Sequence, residues 1–510
     1  MNILLSVLSG ILLTLSFPKP GLFYLSWVAL VPFIIACLRP TSIIQKIINS
    51  LFFGLVAYSG ILYWIVITFK TAGLPVVIGI CCLFLLSMYL SLYIVLFSLL
   101  VKPASGNKGI FIYPLLLSCA WVVLEYTRTY MFTGFPWGIL GYTQWNCLPV
   151  IQITGFTGVY GVSFLIMYVN TSIGYLLVNP AGKKSVLALI IPVILFMGNY
   201  AYGRHAIDVV TVKTSKPVKA VILQGNIGQY KKWDDTYKTE IKKSYASLIG
   251  KITQKEVDLI VWPETAVPGY LFFDEDINDW IKQLVRLTGC SHLTGSMDYL
   301  NGNYYNSCFL ISPENIRNNV ITRENVQQYS KIHLVPFGET IPFKPFLGKY
   351  IKVLNELGDT SSGNRFTVFS NNNTGCFSAS ICFESIFPGI TRQFSKNPDV
   401  GFIVNITNDA WYLTTSAPYQ HFSFNVFRAV ENRKPVIRAA NTGISGLIDK
   451  TGKIVVISEI FTQAYQYVEI NPNYEMTFYT RFGDVFVMGC FILLIIIVKG
   501  FYQKNILTAN

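Results

Sequence analysis

Long apolar runs constrain the fold of this chain more than any other feature. Eight of them are long enough, or nearly long enough, for a helix to cross a ~30 Å hydrocarbon core. They cover residues 2–17, 21–38, 47–69, 73–101, 109–124, 151–178, 185–203 and 485–501. The first run lacks a basic segment before it and a small-residue cleavage site after it, so we interpret it as a retained span. The sequence predicts a multi-pass α-helical membrane domain with eight spans.

The composition agrees with a membrane protein. Only 13% of the 510 residues are charged and 52% are hydrophobic, whereas soluble chains carry about 25% charged residues. The net charge of +13 is concentrated in the apolar part, where residues 1–214 hold 11 Lys and Arg against Glu125 and Asp208. Basic loops of this kind orient a protein in the membrane and contact anionic lipid headgroups. The charge therefore indicates a membrane and no nucleic acid partner.

The charges of the short loops also predict the topology. The loops on the side of both termini hold eight basic residues, namely Arg39, Lys46, Lys102, Lys108, Lys183, Lys184, Lys499 and Lys504. The opposite loops hold only Lys19, Lys70 and Arg128. The positive-inside rule then places both termini in the cytoplasm. We expect a seven-span domain at 1–204, an extracytoplasmic domain at 205–484, and an eighth span with a short cytoplasmic tail at 485–510.

The extracytoplasmic domain has the pattern of an α/β fold. Short β-rich runs are predicted as strands at 218–227, 257–262, 291–298, 304–311, 375–382, 400–407, 435–440 and 444–449. Amphipathic stretches are predicted as helices at 235–251, 275–288, 386–395 and 418–432. Strands that alternate with helices predict layers of sheet and helix.

Three segments place reactive side chains directly after apolar strands, where α/β enzymes hold their sites. They are LIVWPETAVPG with Glu264, QYSKIHLVPFGE with Lys331 and Glu339, and SASICFESIFPG with Cys382 and Glu384. Each also has an ordinary explanation when taken alone. A cysteine that ends a strand is usually a small core residue, a glutamate can stabilise a helix start, and a loop lysine is usually solvated.

Together these residues fit nucleophilic catalysis by Cys382. A thiol with a pKa of about 8.5 is mostly protonated at neutral pH, so it needs a base, and Glu264 can be that base. The ammonium of Lys331 and the backbone N–H of Phe383 can stabilise the oxyanion that forms when the thiolate adds to a carbonyl. A Cys382–His333 dyad is the alternative, because His333 lies two residues from Lys331 and shares its face if the segment is extended.

The ten cysteines and four histidines indicate no metal site. They form neither a CxxC pair nor a Cys/His cluster at zinc spacing. We therefore predict no structural metal and no cofactor. Four cysteines fall in the extracytoplasmic domain, and a disulfide there is possible: Cys290, Cys308, Cys376 and Cys382.

The order Glu, Lys, Cys in WPET, YSKIHLVPFGE and ICFE resembles the nitrilase superfamily, whose Glu-Lys-Cys triad sits in an αββα sandwich. Further motifs narrow the resemblance to the apolipoprotein N-acyltransferase family over nearly the whole chain. They are FTGFPWGILGYTQ (132–144), LQGNIGQYKKWD (223–234), TNDAW (407–411), RAANTGISG (438–446) and TFYTRFGD (477–484).

The resemblance implies a reaction and its partners. Cys382 would take an acyl chain from a phospholipid as a thioester, and the α-amine of a diacylglyceryl-cysteine apolipoprotein would then attack it, in a ping-pong sequence. Glu264 would be the base, Lys331 the oxyanion partner, Glu339 a positioner of Lys331, and Glu384 a second essential carboxylate. The enzyme would act as a monomer in the bacterial inner membrane.

Two other functions compete with this reading. A membrane-anchored amidase would resolve the same thioester with water. A transporter or receptor would bind a ligand without chemistry. Charged residues within the membrane usually mark a polar substrate path, and the predicted spans carry almost none.

Five residues are candidates for substrate binding, namely Trp233, Asn408, Trp411, Phe135 and Trp137. Trp233 could instead be a buried or interfacial aromatic, and Asn408 could cap the turn that follows it. Phe135 and Trp137 could line the lipid entry or form an interfacial aromatic belt.

A long segment and two departures from the family pattern complete the prediction. Residues 337–365 have few clear elements and many aromatics, including Phe343, Phe346 and Tyr350, so we predict a membrane-facing lid. Phe383 stands where the family commonly has Tyr. Leu413 in WYL replaces the Gly of the commoner WFG, which removes a flexible residue from the loop.

Overall fold

The apolar runs and the α/β stretch fold into two separate units. The computed structural model describes all residues except 40–41, 104–105, 179–181, 210–215, 233, 254–255, 318, 342–359 and 508–510. The helical unit comprises Met1–Val210, Thr415–Ser423 and Arg481–Asn510. The two-sheet unit comprises Thr211–Thr414 and Phe424–Thr480.

All eight predicted apolar runs are helical. The helices are Asn2–Ser16, Ser26–Ala29, Val31–Leu38, Ile43–Leu62, Trp64–Thr71, Val76–Leu100, Gly106–Tyr130, Leu148–Ile151, Thr154–Thr157, Val159–Val178, Gly182–Val209 and Val485–Leu507. Among the described residues, the three that are long and apolar enough to cross a membrane are Ile43–Leu62, Val76–Leu100 and Val159–Val178. The helical membrane domain is thus supported, while the count of eight spans stays a prediction.

Small residues let the helices of this unit approach closely. A Cβ atom on Gly54 would lie 2.3 Å from the Ser91 hydroxyl, and one on Gly60 would lie 2.5 Å from the Thr14 hydroxyl. Helix association within lipid depends on such close backbone packing, because lipid chains are as apolar as the side chains they would replace.

The two-sheet unit contains two six-stranded sheets. The first has the order β12-β1-β2-β3-β4-β5 and the second the order β11-β10-β9-β8-β7-β6. The strands are β1 Val218–Gln224, β2 Leu259–Val261, β3 Ser291–Leu300, β4 Asn303–Ile311, β5 Gln327–Ser330, β6 Val368–Asn371, β7 Gly375–Ile381, β8 Val400–Thr407, β9 Val436–Ala440, β10 Gly446–Ile448, β11 Ile454–Ile457 and β12 Ala464–Ile470. Strands β1, β2 and β3 are parallel to one another, as are β7, β8 and β9.

Two helices of this unit share a hydrophobic core with the first sheet, while the αββα layer order stays a prediction. The helices of this unit are Gln229–Lys232, Lys238–Gly250, Glu275–Thr288, Pro388–Ser395, Ala417–Asn432, which begins within the helical unit, and Phe478–Phe482. Glu275–Thr288 shows how the sequence sets one of them. Asp274 caps its first turn, Gly289 ends it in the left-handed conformation, and its apolar face packs on the first sheet with Ile281 fully buried.

The eight predicted strands are all present, and four strands were not predicted. The strands that were not predicted are β5, β6, β11 and β12, which are the four edge strands of the two sheets. The predicted helix at 386–395 begins only at Pro388, because residues Cys382–Ile386 form a single 3-10 turn after β7.

Candidate active site

The two sheets bring the three reactive segments together. Glu264 follows β2, Lys331 directly follows β5, and Cys382 directly follows β7. All three side chains are buried, with exposed fractions of 6%, 1% and 7%. The Cys382 side chain is a thiol. Burial strengthens the electrostatic interactions among them, because little water screens their charges.

Lys331 lies between two carboxylates. Its Nζ is 2.8 Å from Glu339 Oε2 and 3.4 Å from Glu264 Oε1. Burial opposes its charge, but the charges of Glu339, Glu264 and Cys382 prevail and raise the pKa of Lys331 above its usual value. Burial also opposes the charge of Glu339, yet Lys331 lowers the pKa of that carboxyl. The ammonium is therefore held charged and in place, as an oxyanion partner must be.

Asn306 is a member of this cluster that the sequence did not indicate. Its Nδ2 donates to Glu264 Oε1 and to Glu339 Oε1, each at 2.8 Å, and its main-chain oxygen accepts the N–H of Lys331. Asn306 thus fixes both carboxylates through its side chain and the Lys331 backbone through its main chain. Nothing in the sequence around Asn306 separates it from any other polar residue within a strand.

The Cys382 thiol is protonated in the resting site. Burial first, and then the charge of Glu264, raise the pKa of Cys382 to about 12, against the effect of Lys331. A thiol with this pKa cannot attack a carbonyl at neutral pH without losing its proton to a base. Glu264 is a carboxylate of the same cluster, linked to the thiol by their electrostatic interaction and by the shared contact with Lys331.

The backbone is strained at Cys382 and beside Glu264. Cys382 has φ of 52° and Thr265, next to Glu264, has φ of 43°. Such non-glycine conformations cost about 1–3 kcal/mol each and are concentrated at functional sites. Gly295 of β3 makes the turn at Glu264 possible, because a Cβ there would lie 2.5 Å from the Pro263 carbonyl oxygen and 2.9 Å from the Glu264 Cα.

Glu384 ties the nucleophile turn to the lysine segment. Its Oε2 accepts the N–H of Ile381, and its Oε1 accepts the Tyr329 hydroxyl and the N–H groups of Ile332 and His333. Burial raises the pKa of Glu384, and these hydrogen bonds counteract that effect. The carboxylate is fully buried, so its contacts are those of a residue that positions the site.

Phe383 follows Cys382 in the chain, and the His333 ring lies near the Phe383 ring, with centroids 6.1 Å apart. Phe383 is in the first turn of the 3-10 segment after β7, where N–H groups have no partner within the helix itself. Its role as an oxyanion donor stays a prediction. The His333 ring packs on Phe387 with centroids 3.9 Å apart.

Three of the sequence motifs meet where their strands end, namely LQGNIGQYKKWD, TNDAW and RAANTGISG. Asn408, which follows β8, donates to Gln229 Oε1 at 2.7 Å and accepts from Asn441 Nδ2 at 3.0 Å. Asn441, which follows β9, bonds both the N–H and the C=O of Ile227. Asn408 also caps the turn Asp409–Tyr412, which contains Trp411. Asn408 therefore caps the turn, as one of its two interpretations predicted, while its part in substrate binding stays a prediction.

The Tyr412 hydroxyl interacts electrostatically with Cys382 and Glu264. Burial, followed by the charges of Cys382 and Asp409, raises the pKa of Tyr412 above its usual value. The phenol is therefore neutral at working pH and can donate a hydrogen bond.

Leu413 keeps a conformation that suits glycine. It has φ of 48° and ψ of −141°, and its side chain is 42% exposed. We predict that Leu413→Gly raises stability by about 1 kcal/mol, because the strain of about 1–3 kcal/mol exceeds the entropy that glycine loses on folding. Thermal unfolding of the detergent-solubilised protein measures this. Leu413→Ala is the matched control, since it removes the side chain but keeps the Cβ, and an equal gain in both variants would contradict the explanation.

The remaining predicted residues fall elsewhere. Trp233 lies outside the described residues, as do Phe343, Phe346 and Tyr350 of the predicted lid. Phe135 and Trp137 belong to the helical unit, where Trp137 is 1% exposed and its Nε1 donates to Gln420 Oε1 at 2.6 Å. Their part in lipid entry stays a prediction.

The sequence is similar to two protein families and to many known proteins. Residues 9–172 match the family model of the apolipoprotein N-acyltransferase N-terminal domain, and residues 219–477 match that of carbon-nitrogen hydrolases. An apolipoprotein N-acyltransferase of Geobacter metallireducens is 39% identical over 96% of this chain and 92% of its own length. The chain belongs to the apolipoprotein N-acyltransferase family. Another apolipoprotein N-acyltransferase, from Wigglesworthia glossinidia brevipalpis, is 30% identical over 94% of this chain and 96% of its own length.

Membership in the apolipoprotein N-acyltransferase family identifies the two-sheet unit as a nitrilase-like carbon-nitrogen hydrolase fold. A solved carbon-nitrogen hydrolase superfamily protein from Xanthomonas campestris is 16% identical, covers 50% of this chain and 91% of its own, and has a TM-score of 0.37. The family also supports an acyltransferase of lipoprotein maturation rather than a transporter.

Proposed function

We propose that this protein transfers an acyl chain from a phospholipid to the N-terminal amine of a diacylglyceryl-cysteine apolipoprotein, through a thioester on Cys382. The observation that carries the proposal is the buried cluster of a protonated thiol, a carboxylate and an ammonium fixed by a second carboxylate. A neutral thiol beside a base and a held cation is what acyl transfer by a covalent intermediate requires.

In the first half-reaction, Glu264 takes the proton of the Cys382 thiol as the sulfur adds to the phospholipid ester carbonyl. The Lys331 ammonium and the Phe383 N–H stabilise the oxyanion. When the intermediate collapses, the carbon–oxygen bond breaks and Glu264 returns the proton to the leaving lysophospholipid hydroxyl. The acyl group remains on Cys382 as a thioester.

In the second half-reaction, the acceptor amine attacks the thioester carbonyl and loses its proton to Glu264. The same donors stabilise the second oxyanion, and the carbon–sulfur bond then breaks. The thiolate recovers a proton from Glu264, which returns the site to its starting state. Asn306, Glu339 and Glu384 hold the reacting groups throughout but exchange no proton.

The membrane location suits these substrates. Both are lipid-anchored, and extracting an acyl chain into water costs about 0.8 kcal/mol per CH₂. We propose an enzyme of the bacterial inner membrane with eight spans, both termini in the cytoplasm, and residues 205–484 on the periplasmic side. We further propose that it acts as a monomer.

Mass spectrometry of the purified protein after incubation with phosphatidylethanolamine micelles tests the proposal. We expect a mass increase of one acyl chain that maps to Cys382, is removed by hydroxylamine and is absent in Cys382→Ala. Adding a diacylglyceryl lipopeptide should discharge the adduct and yield the N-acylated peptide. No adduct under conditions of active acyl transfer would exclude the thioester. An adduct discharged by water as fast as by lipopeptide would favour the amidase.

A further inference from the structure

Lys232 is a charged residue beside the site that the proposed chemistry does not use. It ends the four-residue helix Gln229–Lys232, and its Nζ donates to the main-chain oxygen of Glu264 at 2.6 Å. Its neighbour Lys231 instead pairs with Glu240 at 2.6 Å. Of two adjacent lysines, one therefore has a surface partner and the other reaches the residue that acts as the base.

The turn that carries Lys232 is firmly anchored. Gln229 accepts a hydrogen bond from Asn408, and Ile227 is bonded through both its N–H and its C=O to Asn441. Asn408 and Asn441 follow β8 and β9, and β8 is paired with β7, the strand that directly precedes Cys382. The Lys232 ammonium is thus held on the same frame as the nucleophile.

The charge of Lys232 acts on both partners of the proton transfer. Burial lowers the pKa of Lys232 to about 8, while the charges of Glu264 and Cys382 act in the opposite direction. Lys232 is therefore a cation at neutral pH. The other groups that bear on the pair are the Lys331 cation, the Glu339 and Asp409 carboxylates, and the Tyr412 phenol.

We propose that Lys232 is a positioning residue of this acyltransferase: its ammonium holds the main chain at Glu264, and its charge favours the thiolate form of Cys382. The role rests on the proposed function of Glu264 and Cys382. A nearby positive charge favours the deprotonated form of an acid. Removing the charge of Lys232 must then lower the fraction of Cys382 that is thiolate at neutral pH.

The pH dependence of Cys382 alkylation tests this inference without lipid. Rates with iodoacetamide are measured between pH 6 and pH 10 by mass spectrometry of the Cys382 peptide, at about half-unit steps. We expect Lys232→Met and Lys232→Gln to be alkylated about tenfold more slowly than the wild type below pH 8, where Lys232 is charged, and the difference to shrink above that pH, whereas Lys232→Arg should keep the wild-type rate below pH 8. Lys242→Met is the matched control, because Lys242 pairs with the exposed Asp276, and should leave the profile unchanged.

Each outcome decides the inference. Coincident profiles for Lys232→Met and the wild type would overturn it. If Lys232→Met and Lys232→Gln fail to fold while Lys232→Arg folds, the cation is needed only for structure and the proposed role is rejected. Because alkylation requires neither phospholipid nor lipopeptide, a shifted profile supports the role of Lys232 even if the thioester of the proposed function is not found.

Discussion

Glu264→Gln should slow acyl transfer by about 10²–10⁴-fold, the usual contribution of a positioned general base. Glutamine keeps an oxygen that can accept from Asn306, so the framework of the site is retained. What is lost is the proposed base for a thiol whose pKa is raised to about 12. Initial rates of lipopeptide N-acylation, at saturating phospholipid, measure the effect.

The same substitution should change the thiol in the opposite direction. The charge of Glu264 is one cause of the raised pKa of Cys382. Removing that charge lowers the pKa, so Cys382 in Glu264→Gln should react faster with iodoacetamide at a given pH while acyl transfer is slower. Glu256→Gln is the control, because Glu256 is exposed and pairs with Lys219. A parallel fall in both rates would point to a collapsed site and against Glu264 as the base.

Lys331→Met should remove both activity and stability. It leaves Glu264 and Glu339 buried without the ammonium that lies between them. Breaking a buried ion pair by removing one partner costs about 3–5 kcal/mol. Loss of an oxyanion donor should lower the acyl-transfer rate by about 10²–10³-fold. Thermal unfolding and N-acylation rates give the two effects, and Lys453→Met, at an exposed position, is the control.

The stability loss in Lys331→Met should shrink as the pH falls from about 8 to about 5, a window that lies above the ordinary carboxyl pKa of about 4.3. In the wild type, Lys331 lowers the pKa of Glu339. That stabilisation is present above the ordinary carboxyl pKa of about 4.3 and is lost only as the pH falls below it. Without the ammonium, burial raises the pKa of Glu339, so protonation relieves the variant at a pH above the ordinary carboxyl pKa. A loss that stays constant over this range would show that the ion pair is not its cause.

The reactive residues could be predicted because each follows an apolar strand in a distinctive motif. Glu264, Lys331 and Cys382 lie 67 and 51 residues apart along the chain, and the sequence motifs alone suggested that they meet. The partners that hold them could not be predicted. Asn306 lies within a strand, and Lys232 is one of two adjacent lysines, so only the paired strands and the anchored turn distinguish them from ordinary polar residues.

The sequence by itself determined the helical membrane domain and the eight central strands. Those strands are apolar because both faces are covered, and β8 and β9 are buried at every residue. Only the tertiary structure decided the four edge strands. Each has a neighbour on one side only. β5, β6 and β12 mix polar with apolar residues, and β11 is an apolar run of four residues, IVVI, that is partly exposed. The left-handed backbone at Cys382 was likewise decided by tertiary structure, because only the surrounding hydrogen bonds, with Glu384 at their centre, can hold a cysteine in that conformation.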